Sequence, residues 1–259
     1  MKNIGSNNNK VYLILLMLAI IFFTPMNVFA NHNQEGNESE TIIFLGNKNL
    51  APIIYENKGK AEGVAADIAR KLGERMGCDI EIKTAQWDSA QNMLLSGEAH
   101  ALLQINPTPE RERHFDFSEK LLKSEFSIFR KSNDSNTNKI EDLRGKKVGV
   151  ESGGYPYNLL RKYKGINLTT IPDWGSGFRM LGFGLLDAVV VDRWIGEYEL
   201  AKSKVRGIQM VEEPIETSYS RIAVRKGDKK LLDAINSGLE EIKRDGTAAE
   251  ILNDWEGEN

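Results

Sequence analysis

The sequence predicts an α/β protein made of two successive α/β units, and three observations carry that prediction. Apolar runs of strand length alternate with amphipathic helical stretches from residue 41 onward. A polar segment, SNDSNTN at 132–138, interrupts the alternation once. The same alternation then restarts at Lys147 and leaves a late segment, after residue 220, free to rejoin the first unit.

The first thirty residues stand outside this pattern. Lys2 and Lys10 flank a polar start, residues 11–23 are almost wholly apolar, and Val28-Phe29-Ala30 has the small-residue spacing of a cleavage site. Residues 1–30 therefore read as a cleavable signal peptide. The apolar core is short of the ~20 residues that a membrane span needs. The single cysteine, Cys78, is far from the cleavage point and offers no site for lipid attachment, so the expected location is periplasmic or secreted. One cysteine also excludes an internal disulfide. Residues 31–40, polar and acidic, read as a disordered leader.

In chain order, 41–45 is a short buried strand closed by Gly46, and Asn47-Lys48-Asn49 has turn chemistry. Val64, Ile68, Leu72 and Met76 recur every four residues with charges opposite, which predicts a helix stopped by Gly77. Ile80 and Ile82 alternate with charges in a strand. Asp88 or Ser89 then caps a helix ending at Gly97, and 99–105 is the next strand. After the turn at Asn106-Pro107, Thr108 is placed to cap a helix with Pro109 at its first position and Arg111 in its first turn. Strands follow at 126–129 and 147–150, with a helix opening at Pro156. Ser176 caps a helix ending near Leu186, and DAVVVD at 187–192 is a central strand followed by a helix over 193–202. A strand at 221–224, an amphipathic helix through Leu231, Leu232, Ile235, Leu239 and Ile242, and a short helix opening at the capping box Thr247–Glu250 complete the chain.

Ligands of open α/β sheets sit outside the carboxyl ends of the strands. Gly46-Asn47, the stretch Gln104–Arg111, the glycine pair after Glu151, and Asp192 all fall there. A guanidinium beside free helix N–H groups grips a carboxylate or phosphate, although an arginine in a first turn is also a common solvated residue. Asp192 either caps the helix that follows it or accepts from a ligand ammonium. Together Arg111 and Asp192 would read a zwitterion. The loop Glu151-Ser152-Gly153-Gly154 has no Walker lysine, which argues against nucleotide binding. His32, His100 and His114 lack ligand spacing, so no metal site is expected. Without Lys2 and Lys10 the chain carries 32 basic and 37 acidic residues, a balance that speaks against nucleic acid.

Several ordered motifs resemble the type II periplasmic solute-binding proteins, family 3, in their polar amino-acid-binding branch. They are GVAADIA at 63–69, Asn106–Arg111 with FDFS at 115–118, LRGKKVGV at 143–150, 187–192, and Asp245-Gly246-Thr247 through Trp255. The resemblance implies a two-lobe Venus-flytrap fold, with lobe 1 formed by 41–130 and 220–259 and lobe 2 by 131–219. Two crossover strands, 126–130 and 221–225, would join them. It implies that Arg111 forks onto an α-carboxylate and Asp192 takes the α-ammonium, with Asn106 and Gln104 completing that shell. Tyr155 falls where the second lobe offers a small hydroxyl residue. Asn47 replaces a common acid, which disfavours a cationic ligand side chain. Leu50 replaces a common aromatic, for which Trp87 substitutes. The implied function is extracytoplasmic reception of an amino acid or similar small zwitterion by a monomer without a cofactor, delivered by cleft closure to an ABC permease or a membrane sensor. Two alternatives share the fold: a cyclohexadienyl (prephenate or arogenate) dehydratase, whose characteristic loop is matched here only in its glycines, and a signalling partner not tied to transport.

Overall fold

A computed structural model describes residues 41–257; the expected signal peptide and leader lie outside the described residues. The chain enters through β1 (Ile42–Asn47), then three short strands, β2 (Asn49–Leu50), β3 (Ile54–Asn57) and β4 (Lys60–Glu62). These three form a small antiparallel sheet where the sequence shows only turn chemistry, because strands of two to four residues are too short for a readable alternation. α1 (Val64–Met76) follows the fourfold apolar repeat. It buries Val64, Ile68 and Leu72 and stops at Gly77, whose left-handed backbone lets its N–H reach the Gly73 carbonyl. Gly63, at φ 118°, starts the helix; a Cβ there would lie 2.5 Å from the Ile53 carbonyl oxygen.

Next come β5 (Ile80–Ala85), α2 (Trp87–Ser96) and β6 (Ala101–Ile105). α2 begins at Trp87 with Gln86 in the cap position and no side-chain cap bond, one or two residues before the Asp88 or Ser89 cap that the sequence suggests. The helix expected after Thr108 shrinks to a single 3-10 turn over Arg111–Arg113. β7 (Phe115–Lys131) is far longer than the 126–129 run. Its first half carries Glu119 and Lys120 outward, which hides it from an apolar-run reading, and the ladder tolerates them through register shifts near Ser220 and Arg221 of its partner.

The second unit holds β8 (Lys147–Val150), α3 (Tyr155–Leu160), β9 (Asn167–Thr170), α4 (Trp174–Phe183), β10 (Ala188–Asp192), α5 (Arg193–Ser203) and β11 (Ile208–Met210). α4 is capped by Asp173, which accepts from the Ser176 N–H at 2.7 Å, so the serine is the capped residue and not the cap. The chain ends with β12 (Glu216–Arg225), α6 (Lys229–Arg244) and α7 (Thr247–Gly257). α7 starts at Thr247 itself, and Asp245 accepts from its N–H at 3.0 Å, which moves the cap two residues upstream of the expected box.

The main sheet runs β5-β1-β6-β12-β7-β10-β8-β9, with β11 on β7. β5, β1 and β6 are mutually parallel at one end, and β10, β8 and β9 are mutually parallel at the other. The antiparallel pair β7–β12 lies between them, and β7 also pairs with β10 through Phe126–Arg130. The late segment returns to the start of the chain. α6 and α7 both pack on α1, and Gly238 of α6 leaves room for Leu72, which a Cβ would meet at 2.5 Å. Consequently the carboxyl ends of β6 and β10, far apart in sequence, are held by strands that share one antiparallel pair.

Candidate functional site

Gln104 and Asn106, at the end of β6, and Asp192, at the end of β10, open onto one cleft of about 430 Å³ including its mouth. Leu50, Trp87, Arg111, Glu151 and Tyr155 line the same space. Seven of the eight residues singled out in the sequence therefore meet. Asn47 stands behind the wall, fully buried, and its Nδ2 donates to Glu151 Oε1 at 2.7 Å.

Arg111 is held by local structure. Thr108 Oγ1 accepts from its N–H at 3.2 Å, so the expected cap bond forms although the helix does not. Arg111 is 6% exposed. Its Nη1 donates to the Asn106 carbonyl at 2.8 Å and its Nη2 to the Gly153 carbonyl at 2.9 Å, and it lies over the Trp87 ring at 5.4 Å from the centroid. Burial lowers its pKa to about 10, which leaves it cationic at neutral pH. Among the described residues no carboxylate comes within ion-pair distance of it. The single 3-10 turn replaces the helix N-terminus as a source of anion-binding groups, so the arginine itself is the cleft's cation. α3 is likewise only six residues long.

Of the two roles open to Asp192, the structure shows the helix cap. Oδ1 caps α5 by accepting from the Trp194 N–H at 3.0 Å, while Oδ2 is buried beside the Ser124 hydroxyl and the Glu125 N–H and makes no hydrogen bond of normal geometry. Burial pushes its carboxyl up to about 7, only partly offset by the N–H groups at the start of α5, the Ser124 hydroxyl and the Glu125 N–H. Gln104 Oε1 and Asn106 Nδ2 are also buried without partners. Gln104 has φ 59°, a left-handed conformation inside a strand that costs a non-glycine residue about 1–3 kcal/mol. Three orphaned polar atoms on one small cleft are costly unless a ligand satisfies them.

The second wall brings residues that sequence reasoning left out of the site. Glu151 follows β8 and receives the Asn47 bond, and burial pushes its carboxyl up to about 7. Its position at a strand end was a usable signal. Phe126 stacks on Tyr155 with centroids 4.7 Å apart and planes at 17°, and Trp174 closes the cleft behind them. Neither Phe126 nor Trp174 carries a local signal, since both read as core residues. The Gly153 carbonyl, on a left-handed turn, accepts from Arg111, from Trp87 Nε1 at 3.2 Å and from Asn158 Nδ2 at 3.2 Å. Among the described residues no group of three His, Cys, Asp or Glu side chains is arranged to hold a metal ion, and no helix is long and apolar enough to cross a membrane.

The chain is similar to known proteins over nearly all of its described length. The family of bacterial extracellular solute-binding proteins, family 3, matches residues 42–258. The L-cystine-binding protein TcyJ of Escherichia coli (strain K12) is 29% identical over 202 residues, covering 77% of this chain and 76% of that protein. The arginine-binding extracellular protein ArtP of Bacillus subtilis (strain 168) is 25% identical over 258 residues, 95% of this chain and 98% of that one. Among solved structures, an ancestral arginine-binding protein bound to arginine superposes with a TM-score of 0.78 at 29% identity, covering 84% of this chain and 99% of that one. A histidine kinase sensor domain with similarity to periplasmic binding proteins gives 0.79 at 26% identity, covering 85% and 97%. With the sheet order, the cleft and the family match in agreement, the chain belongs to the bacterial extracellular solute-binding proteins of family 3.

Proposed function

We propose that this protein is an extracytoplasmic receptor for an amino acid or a similar small zwitterion, which it presents to an ABC transporter. The observation that carries the reading is the set of partnerless atoms beside Arg111: two acceptors, Gln104 Oε1 and Asp192 Oδ2, and one donor, Asn106 Nδ2. An α-ammonium suits the acceptors, and an α-carboxylate suits the donor and the guanidinium. The relatives TcyJ and ArtP, named for binding L-cystine and arginine, support an amino-acid ligand.

The mechanism follows from charge and topology. Arg111 spends its donors on the neutral carbonyls of Asn106 and Gly153. A ligand carboxylate competes for them because charge-assisted bonds to a carboxylate are about twice as strong as those to a neutral acceptor. Arg111 belongs to the half containing β6, and Asp192 to the half containing β10. Taking these halves as lobes, 41–130 with 220–259 and 131–219, a zwitterion is held at both ends only when the lobes close, so ligand shifts the population toward the closed state. The resemblance of the histidine kinase sensor domain favours a second reading, in which the closed form is read by a membrane sensor. No relative named above supports a dehydratase; turnover of prephenate or arogenate by the purified protein at ordinary enzyme rates would establish one.

Titration calorimetry against the common amino acids tests the proposal. The wild type binds at least one of them, and Arg111→Ala loses about 2–5 kcal/mol of that binding, because a desolvated carboxylate is left unpaired. Undiminished affinity in the variant would refute the carboxylate role.

A further inference from the structure

The zwitterion clamp uses Arg111 and Asp192 and leaves a third charged group on the cleft wall unexplained. Glu151 lies at the carboxyl end of β8 and lines the cleft. Its placement is built: Asn47, fully buried, donates from Nδ2 to Oε1 at 2.7 Å, while Asn47 Oδ1 is itself fixed by the Asn49 N–H at 2.9 Å. Among the described residues no other group donates a hydrogen bond to the Glu151 carboxylate, and no basic side chain stands within ion-pair distance of it.

The charge count of the cleft decides what this carboxylate is for. Arg111 contributes one positive charge; when ionised, Asp192 and Glu151 contribute two negative ones, and at Glu151 the repulsion of Asp88 is opposed by the attraction of Arg111. A ligand that carries only an α-carboxylate and an α-ammonium brings no net charge. It would leave Glu151 either an uncompensated anion in a space that binding dries out, which is costly, or an acid that has taken up a proton. A ligand with a further cationic group closes the count. The neighbouring surface suits such a group, since Trp87, Phe126, Tyr155 and Trp174 present rings to the same cleft, and aromatic faces attract cations.

Building on the amino-acid reading of the site, we infer that Glu151 is a specificity-determining residue that selects ligands bearing a side-chain cation. The polar environment at Asn47 is thereby reinterpreted. The sequence reads the missing acid at the end of β1 as a mark against cationic side chains; the structure supplies an acid from the opposite wall and makes Asn47 its hydrogen-bond donor.

Two isosteric pairs separate charge from shape: arginine against citrulline, and lysine against 2-aminoheptanoic acid. Calorimetry on the wild type should show a preference for the charged member of a pair of about 10–100-fold. Glu151→Gln keeps the size and the Asn47 bond, and should remove that preference by weakening the charged ligand while leaving its neutral partner as tight or tighter. Far-UV circular dichroism and a thermal melt confirm that the variant is folded. A wild type that binds the neutral member as well as the charged one overturns the inference, as does a ratio unchanged in Glu151→Gln. If the wild type takes only amino acids with uncharged side chains and Arg111→Ala abolishes that binding, the role of Glu151 fails while the receptor reading stands. Arginine or lysine binding that survives Arg111→Ala at full strength but falls in Glu151→Gln refutes the zwitterion clamp instead and leaves Glu151 as the selecting group.

Discussion

The side-chain amide of Asn47 donates to the carboxylate of Glu151 at 2.7 Å, joining residues 104 positions apart across the cleft. This bond ties the end of β1 to the loop after β8, and the Arg111 and Trp87 bonds to the Gly153 carbonyl run beside it. The two walls thus touch through a short polar seam, and the unsatisfied atoms lie within the cleft that this seam borders.

Asp192 combines a helix cap with the oxygen proposed to face a ligand ammonium, and substitution separates them. Asparagine caps a helix about as well as aspartate, so Asp192→Asn should retain α5 and, by removing a buried charge, should raise the ligand-free melting temperature at neutral pH and not lower it. It removes the charge facing a ligand ammonium, and affinity should fall by about 2–5 kcal/mol. Calorimetry and thermal melts on the same sample check both halves of this prediction.

The pH dependence of stability follows from the two raised carboxyls. Glu151 and Asp192 hold protons more tightly in the fold, up to about 7, than in the unfolded chain. Between roughly pH 4 and 7 the folded state therefore binds more protons, and ligand-free stability from these groups is present at low pH and is lost as pH rises. Urea midpoints at about pH 5 and about pH 7.5 should show the fall, and Glu151→Gln with Asp192→Asn should flatten it.

Asp116 acts in the opposite sense. Lys226 at 2.8 Å, the Gly227 N–H at 2.9 Å and Lys229 at 3.0 Å hold its carboxyl well below the usual carboxylate range. Its contribution is present above the ordinary carboxylate pKa and is lost as pH falls through the folded value. Asp116→Asn should cost about 1–2 kcal/mol at neutral pH, the modest figure reflecting largely exposed lysine partners. The loss should shrink only below about pH 4, measured by urea unfolding at about pH 7 and about pH 2.

Glu110 and Arg161 form an ion pair at 2.5 Å near the cleft mouth, with both side chains about half exposed. Such pairs contribute little, so Glu110→Gln should change stability by less than about 1 kcal/mol and leave ligand affinity within a few-fold of wild type. A large loss of affinity would mean that this pair, and not the buried seam, governs closure.

Gly196 of α5 sits against β7, where a Cβ would lie 2.3 Å from Phe129 Cζ and 2.8 Å from a Val191 methyl. Gly196→Ala should destabilise the fold by about 1–3 kcal/mol through overpacking. Chemical denaturation would detect it, and a neutral result would show that Phe129 can move aside.

The sequence by itself determined the elements whose causes are local. The fourfold repeat and Gly77 place α1, the four-residue apolar run before Asp192 places β10 and its cap, and strand ends mark where ligand groups emerge. Periodicity, caps and left-handed glycines act within a few residues of the chain, so they can be read from it. The tertiary structure alone decided that Arg111 leaves a 3-10 turn and not a helix, that β7 extends back to Phe115, and that Asn47 serves Glu151 from behind the wall. Those outcomes depend on which strands become neighbours in the sheet and on how much water burial removes. Charge balance in the cleft is set the same way: three ionisable groups from distant segments acquire a shared environment only when β7 and β12 bring the ends of β6, β8 and β10 together.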